Sequence, residues 1–225
     1  MANHFDLEEQ EQLEQLKHFW KQYGNLITWL LTLVLAGFAG WNVYQYWQRS
    51  QAAQSAAMYD ELDRIVGSGD SARVQRALED MRDKFGSTTY AQHAGLLAAK
   101  TFADAGQAEE AQKALRAVID QSPDAGLRAI AQLRLAAILL DSGALDSAWQ
   151  ELQGSFPEAF APLASDRRGD VLLAQGKKDE AAKAYLQAYQ GLDAQSAYRR
   201  LIDMKLAALG VVTDEAKPAP GVATK

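Results

Sequence analysis

From Gln22 to Gln48 the chain carries no charged residue, and inside that stretch lies the apolar run LITWLLTLVLAGFAGW. No other feature restricts the fold as much. Crossing ~30 Å of hydrocarbon takes about 20 mostly apolar helical residues, and Leu26 to Tyr44 supplies that length. Aromatic residues flank the run: Trp20 and Tyr23 before it, then Trp41, Tyr44, Tyr46 and Trp47 after it. Amphipathic rings favour the headgroup level, so two belts at this separation mark both interfaces of a spanning helix. A cleaved signal peptide has an apolar region of only about 7–15 residues, closely followed by small residues at the cleavage site. Here bulky WNVYQYWQR separates the run from AAQSAA. A buried core helix would not need aromatic belts. The expectation is an uncleaved anchor over residues 23–47, with a soluble module beyond it.

Orientation follows from basic residues near the span. Lys17, Lys21 and the amino terminus precede it, whereas Arg49 and the more distant Arg64 follow it. The bias of cations towards the inside places segment 1–22 in the cytoplasm and the later residues across the membrane, in a bacterium the periplasm. Leu13, Leu16, Trp20 and Tyr23 recur at helical spacing, so the lead-in is expected to lie on the cytoplasmic surface. Within the span, Ala36, Gly37 and Gly40 form a small patch that would let another helix approach closely. Glycine is also simply common in membrane helices.

The formal charge of −6 over 225 residues includes no basic concentration of the kind that binds nucleic acid or anionic lipid. The absence of cysteine excludes disulfides, thiol catalysis and thiolate metal sites. Leucine and alanine dominate the part after the anchor. Proline occurs only as Pro123, Pro157, Pro162, Pro218 and Pro220, so long stretches lack helix breakers. The fold class expected is all-α. The end of the chain, 211–225, is poor in large apolar residues and should be a disordered tail.

Residues 48–210 contain a recurring phrase: GQAEEA from Gly106, GALDSA from Gly143 and GKKDEA from Gly176. These glycines are 37 and 33 residues apart, a solenoid period. Seven residues before each comes Ala99, Ala136 or Gly169, and four before comes Phe102, Leu139 or Leu172. Nine after comes Leu115, Leu152 or Tyr185. Such a pattern describes two helices joined by a glycine cap. Acids in the next first turn (Glu109, Asp146 and Asp179) suit a positive helix N-terminus. The pattern resembles the tetratricopeptide repeat over three units, from about Gly95 to Leu192. Its usual aromatic at the head of the first helix is replaced by Gly95, Gln132 and Ser165. Gly67 and Ala72 have the same spacing, so Asp70 to Phe85 reads as a degenerate first pair or cap, and Asp193 to Leu209 as a closing helix.

No catalytic constellation, cofactor loop or metal-ligand pair stands out. His4 and His18 precede the anchor, and His93 lacks a carboxylate or nucleophile at useful spacing. Arg168-Gly169-Asp170 falls inside a helix, with Gly169 at the packed position. A binding module is the class left, and not an enzyme. The first helices of such repeats line a concave face. Counting from the turns, the candidate groove is His93, Leu96 and Lys100, then Ile130, Leu133 and Ala137, then Asp166 and Asp170. This groove is part apolar and part acidic, suited to an extended chain or a partner's helix. Alternatively, its apolar members pack against a neighbouring helix. With Lys100 as the sole cation of the set, no carboxylate clamp is expected.

The order of features resembles the ancillary subunits of the SecYEG translocon, the YfgM-type proteins of Gram-negative bacteria. The likeness runs from EEQEQLEQLKHFWKQYG through GWNVYQYW and AAQSAAMYDEL, and returns in LASDRRGDVLLAQGKKDEAAKAYLQAY. That resemblance implies a single-pass inner-membrane protein with a periplasmic repeat domain. Its implied partners are the Sec translocon, a membrane-anchored periplasmic chaperone of the prolyl-isomerase type, and emerging polypeptides. An anchored adaptor for another envelope assembly or for cytochrome maturation is the alternative from the residues alone.

Overall fold

The computed structural model describes residues 7–213, with side chains from residue 11. The start of the expected cytoplasmic segment, 1–6, and the expected tail from 214 onwards lie outside the described residues. Among the described residues the chain is helical, with no strand, and it divides into two compact units between Ala53 and Gln54.

The helix α1 (Leu7–Val66) runs through the first unit and ends in the second, and its lead-in and apolar run are one helix. The apolar run is uncovered: Leu30, Leu33 and Phe38 are all exposed, as they must be if lipid is their solvent. Its polar side chains bond to their own backbone. Thr28 Oγ1 donates to the Gly24 carbonyl at 2.7 Å, Thr32 Oγ1 to Thr28 at 2.8 Å and Asn42 Nδ2 to Phe38 at 2.9 Å. The two hydroxyl hydrogens and one amide N–H of Asn42 are thereby kept from facing hydrocarbon unpaired. The helix is long and apolar enough to cross a membrane once.

In the second unit the helices follow in pairs. The last turns of α1 precede α2 (Ser71–Phe85), and Leu62 packs in one core with Val74, Leu78 and Met81. Then come α3 (Thr89–Asp104) with α4 (Ala108–Gln121), and α5 (Ala125–Asp141) with α6 (Leu145–Leu152). A 3₁₀ turn, Glu158–Phe160, leads to α7 (Ala161–Ala174), α8 (Lys178–Gly191) and α9 (Ala197–Ala208). From α2 onwards each helix packs on the next, and α3 also touches α5, which touches α7. First helices therefore share one face of the repeat stack.

The turn glycines fix this register. Gly69, Gly106, Gly143, Gly176 and Gly210 all have φ between +73° and +80°, a conformation that a Cβ disfavours. At four of them the next N–H reaches back to the apolar residue four before the glycine: Gln107 to Phe102, Ala144 to Leu139, Lys177 to Leu172 and Val211 to Leu206, at 2.8–3.0 Å. This is the Schellman closure, and it satisfies carbonyls that a helix end leaves open. Two of these glycines extend the series beyond the three phrases. The earlier one is Gly69 and not Gly67. Counting from Gly69, the fifth and ninth residues are Val74 and Leu78, both buried; counting from Gly67 they are Ala72 and Arg76, both exposed.

Small residues set the spacing between helices. A Cβ on Gly169 would lie 2.5 Å from the Tyr185 ring, and one on Gly95 would lie 2.6 Å from Val118 Cγ2. At α9 the corresponding small position is Asp203, and its carboxylate accepts a hydrogen bond from buried Thr213. With Val211 packed on the α8–α9 core, the chain covers the place where a second helix would lie. The expected closing helix thus starts later, at Ala197, after a turn that Ser196 caps by accepting from Tyr198 N–H.

Candidate functional site

The first-helix face is built from equivalent positions. Six residues before the turn glycines stand Lys100, Ala137, Asp170 and Met204; nine before stand Leu97, Arg134, Arg167 and Leu201. Two seams on this face differ sharply.

Between α3 and α5 lies an open cavity of about 310 Å³, lined by Ala99, Ala103, Leu115, Ala137 and Ile138, with Lys100 and Arg134 beside them. Lys100 Nζ pairs with Asp104 at 2.6 Å, both side chains being exposed. Arg134 Nη1 donates to the Leu96 carbonyl at 3.2 Å, tying α5 to α3.

Between α7 and α9 the link is a charged network, with Leu173 and Met204 exposed beside it. Asp166, only 1 % exposed, accepts from Tyr198 Oη at 2.6 Å and from Lys205 Nζ at 2.7 Å. Lys205 Nζ also donates to Asp170 Oδ1 at 2.6 Å, as does Tyr185 Oη at 2.8 Å, while Arg167 takes the other oxygen at 3.1 Å. Two acids thus meet two cations, which is how charge is held out of water. Burial raises the Tyr185 hydroxyl's pKa well above its usual value, and its bond to Asp170 raises it further. The Tyr198 hydroxyl is raised by burial and by Asp166. One step away, Arg168 closes the end of α6 by donating to the Leu152 and Gly154 carbonyls, and burial lowers its pKa. The Arg168-Gly169-Asp170 triplet is therefore part of the packing.

The candidate groove residues separate into three groups. Lys100 and Ala137 line the open cavity, and His93 is exposed near the start of α3. Leu96 is buried in the core, with Ile130 and Leu133 packed partly against it. Asp166 and Asp170 are brought together, but within the network that α9 closes. The acidic end of the expected groove is thereby neutralised. Sequence reasoning missed Arg134, which could have been found as the residue three before Ala137 on the same face. It also missed Lys205 and Tyr198, whose partners lie more than thirty residues away. In α1, a Cβ on Gly37 or Gly40 would meet nothing within 4 Å, so the patch with Ala36 is open. Among the described residues no group of three or more His, Asp or Glu is placed to hold a metal ion.

A family model described as a tetratricopeptide repeat-like domain matches residues 17–211. The ancillary SecYEG translocon subunit of Neisseria gonorrhoeae is 33 % identical over 210 residues, 93 % of this chain and 100 % of the relative. The protein of the same name from Haemophilus influenzae is 32 % identical over 83 % of this chain and 91 % of its own length. That from Escherichia coli K12 is 26 % identical over 90 % and 97 %.

Proposed function

Because this chain belongs to the family of ancillary SecYEG translocon subunits, we propose that it is a non-enzymatic scaffold attached to the Sec translocon. α1 holds it in the bacterial inner membrane as a single pass. Residues 1–22 are cytoplasmic, residues 23–47 span the bilayer and residues 48–210 form a periplasmic repeat domain. That domain binds a membrane-anchored chaperone of the prolyl-isomerase type, emerging polypeptides, or both. Ala36, Gly37 and Gly40 give another membrane helix a place to approach.

The observation that carries this reading is a match running through both parts of the chain, since the family model begins at residue 17, ahead of the apolar run, and ends at 211. A chain that shared only the repeats with its relatives would share a fold and not an attachment. The open seam on the first-helix face supports the binding role, and one uncovered apolar helix of spanning length among the described residues supports a single pass.

Two measurements test it. A reporter fused after Lys225 is expected to be active in the periplasm, and cytoplasmic activity would contradict the topology. In mild detergent the full chain is expected to copurify with the translocon; its absence would defeat the attachment.

A further inference from the structure

The cavity between α3 and α5 has a cause that the register makes plain. Three residues before the turn glycines stand Ala103, Leu140 and Leu173, and six before them stand Ala137, Asp170 and Met204 in the following first helices. The α3–α5 seam therefore has alanine at both places where the α5–α7 seam has Leu140 and Asp170. The missing side-chain volume is the cavity, with Leu115 of α4 among its lining. A pocket of this size and apolar lining takes up an apolar group.

Its surroundings add a sign of charge. Lys100 and Arg134 are exposed cations on a chain whose net charge is −6. The bond between Lys100 and Asp104 joins two exposed side chains and is weak in water, so an incoming carboxylate can displace it. Arg134 spends Nη1 on the Leu96 carbonyl and keeps further N–H donors on its planar fork. A purely apolar ligand would leave these cations unused, and a free anion would leave the cavity unfilled.

We infer that the α3–α5 seam is a pocket for one aliphatic or aromatic side chain of an extended polypeptide segment, whose neighbouring Asp or Glu meets Arg134 and Lys100. This deepens the scaffold reading and rests on it. The seam selects acidic-flanked apolar segments; at α7–α9 the corresponding places carry Leu173 and Met204 in place of alanine, beside the charged network.

The test uses the full chain in detergent micelles and three fluorescein-labelled Gly/Ser peptides, followed by fluorescence anisotropy. One peptide carries a Phe between Asp residues, the second has Lys in place of Asp, and the third has Ala in place of Phe. The first is expected to bind at least about tenfold more tightly than either other. Arg134→Glu is expected to invert the preference between Asp and Lys. Ala137→Leu is expected to remove the preference for Phe, with helicity by circular dichroism unchanged. Equal binding of the Asp and Lys peptides, or a preference that survives Arg134→Glu, would overturn the assignment even if Ala137→Leu fails to fold. Copurification keeps the two readings apart. An Arg134→Glu chain that retains the translocon, beside a wild type without the Asp preference, removes the pocket and leaves the scaffold. A wild type lacking the translocon removes the scaffold, and an Asp preference on that same chain still supports the pocket.

Discussion

The α3–α5 and α7–α9 seams occupy equivalent places on one face and are built on opposite principles. At the first, alanines leave room, and the charges beside it are exposed and weakly held. At the second, Asp166, Asp170, Arg167 and Lys205 are drawn together with two tyrosines, and α9 closes over them. A repeat gives each unit the same backbone, so the difference lies in a few side chains at fixed positions. In this stack the closing helix is held by buried charge, while the site with room for a partner is two pairs away.

The two seams should respond unequally to substitution. Lys205→Met keeps the stem and removes the cation, leaving Asp166 buried with Tyr198 alone. A loss of about 3 kcal/mol is expected in denaturant unfolding of the full chain, because a buried charge loses its partner. Stability unchanged within error would mean that α9 does not depend on the network. Next comes Gly169→Ala, whose Cβ would stand 2.5 Å from the Tyr185 ring. Overpacking at that contact should cost about 2 kcal/mol, and Tyr185→Ala in the same chain should recover part of it as a smaller second loss than in the wild type.

Alkaline titration reports on the same seam. Tyr185 and Tyr198 are raised above the ordinary value of 10.0, so the fold favours their neutral forms. Their contribution to stability is full below pH 10 and is lost as pH rises past it. The Tyr185 and Tyr198 hydroxyls should therefore resist ionisation until the domain opens, as read by tyrosinate absorbance against the Tyr185→Phe and Tyr198→Phe variants. Ionisation of Tyr185 and Tyr198 near pH 10 in the folded chain would contradict the network. The smallest effect belongs to the open seam. Ala103→Leu restores the residue found at Leu140 and Leu173, and stability should move by no more than about 0.5 kcal/mol while peptide binding falls. A large destabilisation would show that the cavity is not free space.

Much of this architecture is legible in the sequence because its causes are local. A charge-free run of spanning length, glycines one repeat apart and small residues seven before them are short-range signals, and each corresponds to a feature of the helices. The same signals explain the miss at Gly67. Two glycines stand two residues apart, and only the requirement for buried residues five and nine positions later, met by Val74 and Leu78, chooses Gly69. The groove was less legible. Lys100 and Ala137 could be placed by counting, but the fate of Asp166 depends on Lys205, 39 residues on, and no periodicity links them. Leu96 shows a further limit, since a helix position on the shared face can still turn its side chain into the core.

Polypeptide is expected to engage the α3–α5 seam and not its counterpart between α7 and α9. A photo-crosslinking amino acid placed at position 103 or at position 173, the same place in α3 and α7, tests this in the full chain in native membranes. The expected result is polypeptide adducts from position 103, reduced by Arg134→Glu, with few from position 173. Equal yields from both positions, or adducts from 173 alone, would contradict it.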